Sequence, residues 1–169
     1  MSRLNATPER QRPHRLKADA YDDPPMNTDT DQVALSRSRA RAMYARDLAC
    51  QTLGILLDDV APGRASLRMR VTETMVNGHG MAHGGYLFLL ADAAFAYACN
   101  SYGPVTVAHS AQVTFLQPAA VDDELRAEAV ERERYGRNGI YDVTVRREGA
   151  VVAEFRGHSI VVGGTPAAS

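Results

Sequence analysis

The chain has few cysteines and almost no net charge. Cys50 and Cys99 are its only cysteines, and each lies among apolar neighbours. That setting is typical of small core residues in a reducing compartment, so we expect a cytoplasmic protein. The formal net charge is −1 over 169 residues. Without a basic field, the sequence favours neither a nucleic-acid partner nor an anionic membrane surface.

Apolar runs long enough to cross a membrane are also missing. The best candidate, Met81–Cys99, contains His83, Gly84, Gly85 and Asp92. A spanning helix needs about 20 apolar residues and resists an unpaired carboxylate. We therefore expect no membrane span and no membrane partner.

Apolar side chains are sparse in residues 1–31, where a basic half precedes an acidic half. The "DDPP" at 22–25 breaks any helix, and the acidic half together with Pro13 argues against a transit peptide. The sequence therefore predicts a disordered tail at 1–31. One domain at 32–164 and a short C-terminal tail at 165–169 follow.

Periodicity predicts the order of secondary structure in the domain. Mixed three- and four-residue apolar spacing predicts a helix over Gln32–Ala49. A second helix, Tyr86–Tyr102, is apolar nearly all round and ends at Gly103-Pro104, which indicates a core helix. Strands are predicted from alternation over 51–60, 63–71, 105–115, 125–134, 140–146 and 151–162. One buried helix with antiparallel strands predicts an α+β fold whose sheet curves around the helix.

Asp92 is a single carboxylate inside this core helix. Burying an unpaired charge is costly, so Asp92 either caps or pairs with another group or belongs to a functional site. Gly84 and Gly85 lie at the helix start, where free N–H groups and the positive end of the helix dipole can polarise a carbonyl oxygen. His83, directly before them, is placed to orient the loop. These neighbours favour a functional site.

Other catalytic motifs do not fit this stretch. "HGMAH" has two histidines four apart but lacks the glutamate of a helical zinc site, so no metal is expected. No lysine follows the glycines as in a phosphate-binding loop. The chain also has no G-x-S-x-G motif, and neither cysteine has the surroundings of a nucleophile.

Helix geometry predicts that the site is shared between two chains. Gly85 and Asp92 are seven residues apart, which is about 10 Å along a helix. A base and an oxyanion donor must each come within about 3 Å of atoms around one carbonyl. One helix cannot place both there, so the sequence favours a homodimer with two symmetric sites.

The stretch "NGHGMAHGGYLFLLADAAFAYACNSY" (77–102) resembles the hotdog-fold acyl-CoA thioesterases of the phenylacetate-degradation (PaaI) type. "TFLQPA", "GIYDV" and "FRGHS" extend the resemblance, which covers 42–164. It implies a hotdog fold, in which a curved antiparallel sheet wraps a long central helix, and assembly as homodimers or homotetramers. It also implies hydrolysis of acyl-CoA thioesters, phenylacetyl-CoA or hydroxylated phenylacetyl-CoA above all, in aromatic-acid catabolism, with no metal or redox cofactor.

The resemblance also assigns roles to residues of the loop and helix. Asp92 activates water or attacks the carbonyl itself, and the Gly84 amide polarises the thioester oxygen with Gly85 beside it. Asn77 and His83 support the loop and orient the attacking group. Ala82 stands where the family often has cysteine, which affects no catalytic group.

Basic side chains on the late strands are candidates for binding the phosphates of coenzyme A. For each one, a solvated strand face with nearby glutamates explains the charge equally well. The candidates are Arg132, Arg134, Arg137, Arg156 and His158.

Two other functions fit a hotdog fold. A hydratase or dehydratase needs a catalytic histidine paired with an acid, and Asp92 has no histidine partner a few residues on in its helix. A non-catalytic acyl-CoA-binding module has no use for a buried base. The combination of His83, Gly84, Gly85 and Asp92 therefore favours the thioesterase.

Overall fold

The computed structural model describes residues 29–164, so most of the predicted N-terminal tail and all of the C-terminal tail lie outside the described residues. A short 3-10 helix, Glu73–Met75, precedes the helix Gly84–Cys99. None of the helices in this part of the chain is long and apolar enough to cross a membrane. In chain order the elements are α1 (Asp29–Tyr44), α2 (Leu48–Thr52), β1 (Leu56–Ala61), β2 (Arg64–Arg70), α3 (Gly84–Cys99), β3 (Thr106–Phe115), β4 (Glu124–Tyr135), β5 (Asn138–Arg147) and β6 (Ala150–Val161).

The predicted first helix, Gln32–Ala49, is wrong at both ends. α1 begins at Asp29 and takes in three residues that the sequence assigned to the tail; acidic residues in a first turn stabilise the helix dipole. The chain then breaks before α2, because the Asp47 carboxylate accepts a hydrogen bond from the Cys50 amide at 3.0 Å and caps the new helix. Since α2 runs to Thr52, β1 begins at Leu56 and not at the predicted residue 51.

Six strands form one sheet in the order β1-β2-β4-β5-β6-β3, and every neighbouring pair is antiparallel. The alternation read from the sequence is confirmed: Leu125, Ala127 and Ala129 of β4 are buried, whereas Arg126 and Glu128 between them are exposed. Two edges result. The β1 edge is covered by α1, which packs along it, and β3 forms the other edge.

α3 lies on the inner face of this sheet and contacts all six strands, which therefore wrap around it. Ala91, Ala94 and Ala98 face the sheet and are completely buried. Their small side chains let the strands approach closely. At Gly157 the approach of β6 to α3 is so close that a Cβ on this residue would lie 3.0 Å from the Phe95 ring. The predicted α+β fold with a curved sheet around a central helix is confirmed.

A tyrosine–aspartate hydrogen bond fixes α2 against α3. The Tyr97 hydroxyl donates to Asp47 at 3.0 Å, and the Tyr97 ring is almost fully buried. The Tyr44 hydroxyl donates to the Ile55 carbonyl at 2.9 Å and fixes the end of the same segment. The α1–α2 corner is thus held by polar contacts inside an apolar core.

Replacing Tyr97 with phenylalanine removes this bond and leaves the ring in place. We expect the Tyr97→Phe protein to lose about 1 kcal/mol of unfolding free energy, as is typical for one intramolecular hydrogen bond. Urea denaturation of both proteins measures the difference. Tyr135→Phe, at a side chain that is 51% exposed, is the matched control and should change stability by less than about 0.5 kcal/mol. Equal stability of Tyr97→Phe and the wild type would contradict the role given to the bond.

Candidate active site

The loop before α3 is shaped by Asn77. Its side-chain oxygen accepts hydrogen bonds from the amides of His79 at 2.9 Å and Met81 at 3.3 Å, and its own amide donates to the Met81 carbonyl at 2.8 Å. Gly80 has a φ of +73°, a left-handed conformation that favours glycine. Asn77 therefore acts on the loop backbone in this structure.

Two further backbone bonds fix the end of the loop. The Ala82 amide donates to the Ala119 carbonyl and the His83 amide to the Met75 carbonyl, both at 2.8 Å. His83 is the N-cap residue of α3, but its side chain makes no capping hydrogen bond and is exposed. The imidazole is therefore accessible beside the helix start.

The first two residues of α3 are glycines with different surroundings. Within residues 29–164 the amides of Gly84 and Gly85 have no hydrogen-bond acceptor, so both can bind an oxygen atom of a ligand. A Cβ on Gly85 would meet nothing within 4 Å, whereas a Cβ on Gly84 would lie 2.9 Å from Cζ of Phe115. A side chain at Gly84 would therefore displace the tip of the Phe115 ring. Phe115 was not among the predicted site residues, because nothing in its local pattern separates it from other apolar strand residues.

Asp92 lies half-buried in the middle of α3. It makes no hydrogen bond or ion pair with any residue in the described part of the chain. Burial raises the pKa of its carboxyl above the ordinary value of 3.8, and no donor or positive charge offsets that effect. Neither a backbone cap nor an arginine partner accounts for the side chain within this chain.

Asp92 and Gly85 share one face of α3 but do not meet. Seven residues are close to two helical turns, so both positions point the same way, about 10 Å apart. Phe88 and Leu89 lie between them on this face and are only partly buried. The sheet covers the opposite side of the helix. The face therefore presents a carboxylate and free amides, too far apart to contact one carbonyl.

Both cysteines are buried and free. Burial raises the pKa of Cys50 and of Cys99 to about 12, which keeps both thiols protonated near neutral pH. They are therefore core residues, as predicted. Among residues 29–164, no group of three or more His, Cys, Asp or Glu side chains is arranged to hold a metal ion.

The five basic candidates for phosphate binding do not gather in one place. Arg132 and Arg156 both pair with Asp142, each at 2.6 Å, on the outer face of the sheet. His158 lies on the same outer face, two residues after Arg156. Arg132 and Arg156 therefore fit the alternative given by the sequence, a solvated strand face on which opposite charges pair. Their partner is an aspartate and not the expected glutamate. These three side chains are separated from Asp92 by the sheet.

Arg134 and Arg137 lie elsewhere, beyond the C-terminal end of α3. The Arg134 guanidinium stacks 4.0 Å over the Tyr102 ring, and Arg137 donates from Nε to the Val161 carbonyl at 3.0 Å. Both line a small pocket together with Tyr102 and Pro104. Neither guanidinium pairs with a carboxylate in the described part of the chain.

Comparison with known proteins places this geometry in a family. The thioesterase superfamily model matches residues 79–154, a span that contains the loop histidine, the glycines and Asp92. The acyl-coenzyme A thioesterase PaaI of Escherichia coli K12 is 45% identical over 127 residues, which are 75% of this chain and 91% of that protein.

Solved structures share the fold. The E. coli PaaI protein superposes with a TM-score of 0.77 at 40% identity, covering 82% of this chain and 99% of that one. A variant of the phenylacetic acid degradation protein PaaI from Thermus thermophilus gives 0.67 at 37% identity, covering 69% and 100%. A Streptococcus mutans protein bound to acetyl CoA gives 0.64 at 23% identity, covering 66% and 91%, a likeness of fold alone.

Asp92 is half-buried without a partner among the described residues, and this predicts how its replacement changes the free energy of unfolding. Because the folded-state pKa is raised above 3.8, wild-type stability falls as the pH rises through that range, and Asp92→Asn, which does not ionise, avoids the loss. We expect Asp92→Asn to be more stable than the wild type at pH 7. The advantage should vanish below about pH 4, where aspartate is protonated in both states. Thermal unfolding across pH measures it. A destabilised variant at pH 7 would show that Asp92 has a stabilising partner.

Proposed function

The chain belongs to the thioesterase superfamily as an acyl-CoA thioesterase, and from this premise we propose that it hydrolyses phenylacetyl-CoA or hydroxylated phenylacetyl-CoA to the free acid and CoA. The observation that carries the proposal is Asp92, a carboxylate without a partner among residues 29–164, on the same helix face as the Gly84 and Gly85 amides, which have no acceptor there. The product acid belongs to aromatic-acid catabolism. CoA thioesters are intracellular metabolites and both cysteines are free, which supports a cytoplasmic location.

In the proposed reaction the thioester oxygen accepts hydrogen bonds from the Gly84 and Gly85 amides. Asp92 removes a proton from water as the water oxygen attacks the carbonyl carbon, and the amides stabilise the charge that develops on oxygen. The tetrahedral intermediate then collapses, the C–S bond breaks, and the CoA thiolate takes up the proton that Asp92 removed from water, which restores the carboxylate. Direct attack by the Asp92 carboxylate, followed by hydrolysis of the anhydride, gives the same products. Neither route needs a metal or a redox cofactor.

A two-fold axis between two copies completes the site. Gly85 and Asp92 lie on one face of α3 about 10 Å apart, and Phe88 and Leu89 mark the midpoint between them. If a second α3 lies antiparallel on this face, Asp92 comes opposite Gly85 of the partner subunit. At the second site Gly85 of the first subunit comes opposite Asp92 of the partner subunit. One isologous contact thus builds two identical sites. We propose that the protein is a homodimer of this kind, or a homotetramer of two such dimers.

The sheet edge supports the same assembly. β3 is a ten-residue edge strand, and most of its side chains are exposed. An exposed edge presents unpaired backbone groups that pair readily with another strand. The opposite edge, β1, is covered by α1, and Arg37 pairs with Asp59 there at 2.8 Å. Only the β3 edge in the described part of the chain is left open to a second copy.

The remaining predicted residues take supporting roles in this proposal. Asn77 holds the loop that leads to the helix start, and the exposed His83 imidazole orients the attacking group. Arg134 and Arg137 are the proposed ligands of the CoA phosphates, because neither pairs with a carboxylate in the described residues. Arg132 and Arg156 are less suitable, since Asp142 already binds both guanidinium groups. CoA binding to a protein of the same fold, the S. mutans relative bound to acetyl CoA, supports the ligand class.

The test of the reaction is free-thiol release from a panel of acyl-CoA thioesters at limiting substrate. We expect kcat/KM to be highest for arylacetyl-CoA, and we expect Asp92→Asn to lower kcat for that substrate by about 10²–10⁴-fold, the usual contribution of a general base. Asp122→Asn, at an exposed loop position with a φ of +70°, is the matched control and should keep wild-type activity. Near wild-type turnover by Asp92→Asn would contradict the assignment.

The shared site is tested by mixing two inactive proteins. One pool carries Asp92→Asn. The other carries Gly85→Val, which has room within its own chain but blocks the approach of a ligand to the amides. In a mixed dimer one site carries both changes and the other carries neither.

With free exchange and equal pools, half of the dimers are mixed, so about a quarter of wild-type activity should return. Mass spectrometry verifies exchange. If mixed dimers form and activity stays at the level of the parents, each site lies within one chain.

A further inference from the structure

Phe115 is an exposed aromatic residue on the inner face of the sheet. It ends β3 opposite Ala153, two residues after Val113, which pairs with Phe155 and packs against the core. Residues two apart on a strand share a face, so the Phe115 side chain points towards α3. Even so, the residue is 50% exposed. In a single chain the exposed part of the ring is open to a ligand or to a second copy at the β3 edge.

The tip of the Phe115 ring lies at the first turn of α3. Its three distal atoms, Cζ, Cε1 and Cε2, are 2.9, 3.2 and 3.2 Å from the point that a Cβ on Gly84 would occupy. The ring therefore lies directly beside the backbone whose amide is free. A side chain at Gly84 would have to displace this ring, whereas the space next to Gly85 is open.

The backbone after Phe115 is fixed. The amides of Leu116 and Gln117 both donate to the Val152 carbonyl, at 2.9 and 3.2 Å. These bonds tie the end of β3 to the start of β6. The backbone on both sides of Phe115 is thus fixed by hydrogen bonds to β6, and the ring extends from it to the start of α3.

We propose that Phe115 is a specificity-determining residue that contacts the acyl group of the substrate and favours aromatic over linear acyl chains. The inference rests on the proposed function. A carbonyl oxygen bound to the Gly84 amide lies about 3 Å from it, and the acyl chain begins one bond away from the carbonyl carbon. That chain starts within van der Waals reach of the ring. Aromatic pairs are stabilised beyond area burial when they stack with an offset or meet edge to face.

The experiment compares two acyl groups of equal carbon number, phenylacetyl-CoA and octanoyl-CoA, by kcat/KM. Phe115→Leu keeps apolar volume and removes the aromatic face. We expect the phenylacetyl-to-octanoyl ratio to fall about three- to tenfold, the factor that corresponds to one aromatic pair. Phe115→Tyr keeps the ring and should keep the ratio. Tyr135→Leu, an equally exposed aromatic residue at the β4–β5 turn, is the matched control and should leave the ratio unchanged.

The outcomes separate specificity from packing. If Phe115→Leu lowers kcat/KM for both substrates by the same factor, or changes kcat/KM for neither, Phe115 does not select the acyl group and the proposal is overturned. If the wild type hydrolyses neither thioester, the proposed function itself fails and this role falls with it. Thermal unfolding of each variant shows whether it is folded. If Phe115→Leu does not fold, Phe115→Met takes its place. We then expect the phenylacetyl-to-octanoyl ratio to fall for Phe115→Met and to keep its wild-type value for Phe115→Tyr, and a Phe115→Met ratio equal to that of the wild type overturns the proposal.

A double variant tests the contact with Gly84 directly. We expect Gly84→Ala to lose activity because its new methyl group displaces the ring, and we expect Phe115→Ala in the same chain to restore part of that activity on octanoyl-CoA. Recovery supports the contact. A double variant as inactive as Gly84→Ala would show that Gly84 is required for a reason other than the Phe115 ring, and would remove the geometric basis of the proposal.

Discussion

The close packing of α3 against the sheet is the contact on which the other features depend. Ala91, Ala94 and Ala98 bring the helix near the strands, so the strands can wrap around it on several sides. A helix held this way has one face left uncovered. That face carries Gly85 and Asp92, because a spacing of seven residues returns to the same side of a helix. The position of the candidate site is thus a consequence of how the core packs.

Asp92 carries the energetic cost of this arrangement. Burial raises the pKa of its carboxyl and no partner in the described chain compensates. A stabilising role would require such a partner, and its absence among the described residues supports the proposed catalytic role. A base with a raised pKa is better matched to proton transfer near neutral pH than an ordinary aspartate. In the proposed reaction the free amides at the helix start supply the complementary electrostatic stabilisation of an oxyanion, and the proposed two-fold symmetry brings the two together.

The failures of sequence reasoning have physical causes. The break between α1 and α2 depends on a single aspartate that caps a five-residue helix, and an apolar spacing that continues across the break hides it. The sequence places the candidate arginines on the late strands, but strand alternation and a bulge in β4 after Glu131 distribute them over two regions. The sequence does not single out Phe115, because its proposed role depends on a contact with Gly84, which belongs to a different element earlier in the chain.

The sequence by itself determined the strand pattern, the core helix and the loop-and-helix residues of the candidate site. These are local features: alternation has a period of two, helical burial has a period near 3.6, and a charge within an apolar run stands out without any coordinates. Only the tertiary structure decided which arginines pair with Asp142, that Asp92 has no partner among the described residues of its own chain, and that Gly84 accommodates a ring. Those facts depend on distances between residues far apart in the chain, which the order of strands in the sheet sets and local pattern does not encode.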